Sequence, residues 1–220
     1  MAPAGAAPLT EFEYDKQMEL KDKNLPPGSS LKLRGVASDA CALGTQKGQS
    51  RWLSFQIVTP DELFYDILMR QREQRAKFAA VLESAKAQSK TIAALSKLDE
   101  VPGLARAQQV INRQVYQIAS QLDATLEEMM LNDLGNPQAR DTLQSTIITP
   151  MRKLHEDLLS RLRGSIAGLV EDDKIALARR AESLALADQS VEVMQSILAQ
   201  MSLWDSFVDV INQLKHLIDG

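Results

Sequence analysis

His155 and His216 are the only imidazoles in the chain, and Cys41 is its only thiol. A di-iron helical bundle needs Glu-x-x-His on two helices. Arg152 and Gln213 stand three residues before the two histidines, so that pattern fails. One thiol and two distant imidazoles do not assemble the four nitrogen and sulfur ligands of a structural zinc site. No Gly-x-Ser-x-Gly elbow is present to hold a nucleophilic serine. Gly44-Thr45-Gln46-Lys47-Gly48 has the outline of a phosphate loop but lacks its Gly-Lys-Ser/Thr ending, and reads as an ordinary hairpin loop. The carboxylate pairs Glu127-Glu128, Glu156-Asp157 and Asp172-Asp173 read as solvated helical faces. The expectation is therefore no catalytic residue, no cofactor and no metal.

Other side chains bear on partners. Arg70, Arg72, Arg75 and Lys77 form the densest basic cluster, but on a helix they point in several directions and Glu73 dilutes them. Arg70, Gln71 and Gln74 are expected to tie their helix to its neighbours through hydrogen bonds. Met129, Met130, Met194 and Met201 fall on helical seams, where methionine fills irregular gaps and also adapts to varied partners. Core packing is the default for them. Trp204 and Phe207, with Met201 and Met194, are the candidates for a partner-facing patch if the helices leave them uncovered.

The elements that position these residues change character at Thr59-Pro60-Asp61-Glu62. Thr59 is suited to cap a helix, Pro60 to its first position, and Glu62 to close a capping box. Before this point apolar residues alternate, and the residues 11–58 read as a small antiparallel sheet of about three strands, favoured as part of a β-sandwich. The strands are expected at Phe12 to Leu20, Leu31 to Val36 and Trp52 to Val58, with a turn at Pro26-Pro27-Gly28 and a loop over residues 39–50. Residues 1–10, rich in alanine and proline, read as a flexible leader without the charged start and apolar run of a secretory signal.

After Val58 apolar residues recur every three to four positions. Helices are expected over about 60–97, 104–133, 137–168 and 172–218. Val101-Pro102-Gly103 breaks the chain between the first two, and Gly135-Asn136-Pro137 supplies a stop, a cap and a start. Pro150 lies inside the third helix and predicts a kink, or a restart capped by Thr149. Asp188-Gln189-Ser190 is a candidate break in the fourth. The first helix would span about 55 Å at 1.5 Å per residue. The fold class is thus α+β, mainly α: a short antiparallel β segment followed by an elongated antiparallel four-helix bundle of coiled-coil-like hairpins.

Composition narrows the partners. Of 220 residues, 45% are hydrophobic and 25% charged, and the net charge is -4. That balance argues against nucleic acid, which selects a clustered cationic surface. No apolar run approaches the roughly 20 residues of a membrane-spanning helix. The end of the chain from Asp188 has Lys215 as its one cation, which weighs against anionic membranes.

The run Gly48-Gln49-Ser50-Arg51-Trp52-Leu53-Ser54-Phe55-Gln56-Ile57-Val58-Thr59-Pro60-Asp61-Glu62-Leu63, with Arg70-Gln71-Arg72-Glu73-Gln74-Arg75, resembles the carboxyl-terminal region of large uncharacterised envelope proteins of planctomycete-type bacteria. The segment from Ile147 to Leu154 and Ile197-Leu198-Ala199-Gln200-Met201 are similar to it as well. In those proteins the last strands of a β-sandwich run directly into long helices. The resemblance implies an extracytoplasmic or membrane-anchored scaffold, of which this chain would be the tail; it carries no catalytic motif. The functional expectation is a non-enzymatic structural or protein-interaction module, with a protein partner or self-association. The alternative is an amphipathic helical protein that binds membrane surfaces.

Overall fold

A computed structural model describes residues 18–20, 23–38, 44, 46–171 and 174–219, with side chains in the last helix described as far as Asp205. The chain divides into two compact units, Met1–Thr59 and Pro60–Gly220. The architecture is mainly helical with short antiparallel strands.

The first unit is built on a β-hairpin. β1 (Ser30–Leu33) pairs antiparallel with β4 (Leu53–Gln56), and β2 (Val36–Ser38) with β3 (Lys47–Gln49). Two residues, Arg34 and Gly35, face three, Ser50, Arg51 and Trp52, between the ladders. This extra residue is a bulge, closed by Ser50 N–H donating to the Gly35 carbonyl at 2.9 Å and Gly35 N–H donating to Ser50 Oγ at 2.8 Å. The bulge is why Leu31 to Val36 is divided rather than one strand, and pairing extends into the expected loop at Lys47. Gly28, at φ +86°, sits in the turn before β1, where an L side chain would be strained. The strand expected from Phe12 lies outside the described residues up to Gln17, and Met18 to Leu20 carry no strand.

The second unit is a four-helix bundle. α1 (Pro60–Ala94) starts at the proline, with Asp61 and Glu62 in its first turn, where the helix dipole favours negative charge. It ends three residues earlier than expected, and Leu98–Glu100 forms a single 3₁₀ turn. α2 (Val101–Leu131) starts at Val101 rather than Leu104, because Pro102 sits in the first turn, where its missing donor costs nothing. Gly135 (φ +71°), the Asn136 cap and Pro137 then start α3 (Pro137–Leu143), with Asn136 Oδ1 accepting from Ala139 N–H at 2.6 Å.

The third helix runs on without a break as α3, a π-helical turn at Gln144–Ile148, α4 (Thr149–Lys153), a second π-helical turn at Leu154–Leu159, and α5 (Ser160–Ala167). Pro150 produces a widened turn instead of a restart. Thr149 does not cap: its N–H donates to the Gln144 carbonyl five residues back, and its hydroxyl accepts from Gln144 Nε2 at 3.2 Å. The fourth helix starts later than residue 172, since a short hairpin of β5 (Val170–Glu171) and β6 (Lys174–Ile175) intervenes. α6 (Leu177–Asp219) is continuous through Asp188 to Ser190. Ser190 Oγ donates to the Leu186 carbonyl, and Asp188 accepts from Ser89, so these polar residues are satisfied without breaking the helix.

α1 packs against both α2 and α6, and the third helix packs against α2 and α6 in turn. α1 is antiparallel to α2 by the bonds Arg70–Glu128 and Gln88–Gln108, α2 to the third helix by Asn112–Leu159 and Asp123–Arg152, and α1 to α6 by Gln71–Trp204 and Ser89–Asp188. The core is one continuous cluster in which Ile67, Phe78, Ile92, Val115, Ile148, Met151, Ile166 and Met194 are fully buried.

Candidate functional site

The polar side chains inside the bundle were only partly legible from the apolar pattern. Gln71 is 4% exposed and its Oε1 accepts from Trp204 Nε1 at 2.9 Å. This fixes the amide orientation and leaves Gln71 Nε2 buried without a hydrogen-bond partner. One turn on, Arg75 Nε lies 3.0 Å from Asp205 Oδ2, and Arg75 donates to Ser202 Oγ at 3.3 Å. Together these contacts clasp α6 to α1. Arg70 donates to Glu128 Oε2 at 2.7 Å and pairs with Asp66, so it ties α1 to α2. Arg70 and Gln71 thus make the interhelical bonds expected of them.

A second layer lies about two turns from the α1–α2 connection. Gln88 Nε2 donates to Gln108 Oε1 at 2.9 Å, Gln108 Nε2 to Asn112 Oδ1 at 2.5 Å, and Asn112 Nδ2 to the Leu159 carbonyl at 3.2 Å. All three amides are buried, Gln108 at 1% exposure. The chain runs from α1 through α2 to the third helix and ends on the last residue of the second π-helical turn. Widened turns loosen the regular backbone ladder and free carbonyl capacity. Ser165 and Ser183 form a third buried contact at 2.8 Å between α5 and α6, and Arg180 donates to the Leu95 carbonyl just past the end of α1 at 2.9 Å.

These layers are fixed geometrically, helix to helix, and the Asp66 and Glu128 carboxylates that meet at Arg70 are both held by its guanidinium. Among the described residues no group of three His, Cys, Asp or Glu side chains could hold a metal ion. His155 rests its ring against Tyr116, centroids 5.3 Å apart, on the face between α2 and the third helix. His216 and Cys41 lie outside the described side chains.

The condition set for a partner-facing patch, that the helices leave its residues uncovered, is not met for Trp204, and Met194 and Met201 take their default place in the core. Met194, Met201 and Trp204 are buried at 0%, 4% and 7% exposure, so in this structure they are core residues rather than a surface patch. The reason is the α1 clasp: Gln71 offers the acceptor that lets the indole N–H be buried. The Phe207 side chain lies outside those described. Beside Trp204 a groove of about 360 Å³ runs between α3 and α6, lined by Gln138, Ala139, Thr142, Thr146, Gln200 and Leu203. Among the described residues no titratable side chain lines it, and Thr142 and Thr146 spend their hydroxyls on backbone carbonyls one turn back. Among the described residues no helix is long and apolar enough to cross a membrane.

The β-hairpin holds the other notable arrangement. Leu31 faces Phe55 and Leu33 faces Leu53, so one face is apolar, with Phe55 48% exposed. At the bulge Arg34 stacks on the Trp52 ring at 4.6 Å and donates to Gln49 Oε1 at 2.6 Å.

No family model, no curated protein and no solved structure matches this chain.

Proposed function

We propose that the chain is a non-enzymatic structural or protein-interaction module whose helical bundle serves as a rigid, register-defined support. The observation that carries the reading is the amide chain Gln88–Gln108–Asn112–Leu159. Buried amides contribute little net stability, because each bond replaces one made to water. A buried amide at a helical seam does discriminate between registers and partners. Here the interior polar groups recognise one another across the helices. The resemblance to envelope scaffolds points the same way.

The membrane-surface alternative draws less support, since the apolar stripes of α1 and α2 are turned into the core. Two measurements test the proposal together. Sedimentation equilibrium over a wide concentration range is expected to show either stable self-association or a monomer of fixed fold. Flotation with liposomes of neutral and anionic composition is expected to leave the protein in the dense fraction. Comigration with vesicles would replace the structural reading with the membrane one.

A further inference from the structure

The cations of the β-hairpin are left over in a way that those of the bundle are not. Between Lys23 and Thr59 the sequence holds five cations, Lys23, Lys32, Arg34, Lys47 and Arg51, against the single acid Asp39. All five are exposed, and among the described residues none is in an ion pair. In the bundle, by contrast, Arg70, Arg75, Lys77, Arg152 and Arg179 each pair with a carboxylate. Arg34 is nonetheless held in place. Its guanidinium lies over the Trp52 ring at 4.6 Å and donates one N–H to Gln49 Oε1 at 2.6 Å. A guanidinium carries five N–H donors in a rigid fork, so a pinned one keeps donors for a carboxylate. Its rotamer freedom is lost before any partner arrives, which favours binding. Lys47 lies two residues before Gln49 on β3, on the same side of that strand. Lys32, opposite Ser54, lies on the side of β1 turned away from Leu31 and Leu33.

We propose that the hairpin is the docking surface for a short acidic segment of a partner protein, with Arg34 as its carboxylate anchor. This deepens the interaction-module reading and rests on it. Charge complementarity sets the chemistry of the occupant, since Lys32, Arg34, Lys47 and Arg51 all lie between β1 and β4. An arginine–carboxylate pair is charge-assisted and bidentate, so it adds geometric selection to attraction. Larger polyanions suit the surface less. A nucleic acid or an anionic membrane extends past one hairpin, and the helical unit joined to it holds 23 acids against 18 cations. That excess opposes a long polyanion. A short segment stays on the hairpin, because exposed charges act over only about 8 Å in physiological salt. The aromatic rings point the same way. Trp52 is already covered by Arg34, and Phe55 lies on the side of the sheet away from Lys32. Among the described residues the hairpin therefore offers no row of free rings beside its cations, which base stacking requires.

The test is titration of the full chain into a fluorescein-labelled peptide that alternates glutamate and serine, followed by fluorescence anisotropy, with the glutamine counterpart as control. The acidic peptide is expected to bind saturably, more weakly as salt rises, and about tenfold or more tightly than the glutamine peptide. Arg34→Glu is expected to weaken binding about tenfold or more. Arg34→Lys keeps the charge but loses the fork, and should fall between that variant and the wild type. Arg106→Glu, at an exposed position on α2, changes the net charge as much as Arg34→Glu does and is expected to leave binding unaltered. Circular dichroism of each variant checks that the helices are intact. No binding, equal binding of the two peptides, or equal losses in Arg34→Glu and Arg106→Glu would each overturn the proposal. Tighter binding of a single-stranded oligonucleotide or of anionic vesicles, lost in Arg34→Glu, would overturn it in favour of nucleic acid or lipid. Absent peptide binding by a chain that stays out of vesicles defeats this proposal alone and leaves the bundle's role as a support standing.

Discussion

Trp204 and Gln71, 133 positions apart in sequence, share one hydrogen bond at 2.9 Å inside the bundle, and Arg75 reaches Asp205 beside them at 3.0 Å. Gln71 Oε1 is the acceptor that satisfies the N–H of this deeply buried indole. Replacing Trp204 with phenylalanine deletes the donor and orphans a buried carbonyl oxygen. The expected loss is about 1–3 kcal/mol of unfolding free energy. Trp204→Ala adds a cavity and is expected to cost about 3–5 kcal/mol. Denaturant titration followed by circular dichroism measures both. A Trp204→Phe protein as stable as the wild type would show that the bond contributes nothing.

The amide layer is expected to behave asymmetrically. Asn112→Leu strands Gln108 Nε2 without its acceptor and should destabilise by about 1–3 kcal/mol. Replacing Gln88, Gln108 and Asn112 together by leucine removes both partners of the two amide–amide bonds and leaves only the Leu159 carbonyl to lose its donor, so the loss is expected to be no larger than that of Asn112→Leu alone. The triple variant should lose uniqueness instead, read as broadened or doubled amide resonances in a nitrogen–proton correlation spectrum. A triple variant with one sharp set of peaks would show that packing alone sets the register.

Pro150 lies within a helix, where proline ordinarily costs about 3 kcal/mol. Here the turn Gln144–Ile148 is already widened, with Thr149 N–H bonded to the Gln144 carbonyl. Pro150→Ala is therefore expected to change stability by well under that figure. A gain approaching it in thermal unfolding would mean that the π-helical turn relieves none of the strain.

Asn136 caps the third helix with one short bond to Ala139 N–H. Asn136→Ala is expected to cost about 1 kcal/mol, and Asn136→Asp close to nothing, since aspartate caps equally well. Equal losses in the two variants, measured by denaturant midpoints, would point to a role other than capping.

The helical periodicity after Val58 was enough to place four helices and the division at Thr59, because burial of one face per helix imposes its own spacing on the residues. Pro60 and Gly135-Asn136-Pro137 marked their boundaries through backbone chemistry that acts locally and needs no partner. Other features depend on what lies across the core. Gln71, Gln88, Gln108 and Asn112 are legible in sequence only as polar interruptions of apolar stripes; their partners come from helices far along the chain, and only packing brings them within 3.2 Å. The same holds for Trp204, a candidate for a partner only if the helices left it uncovered, and for Pro150, whose missing donor was absorbed by a π-helical turn. Local hydrogen bonds and periodic burial are encoded residue by residue, whereas the pairing of buried polar groups is settled only when separate helices meet.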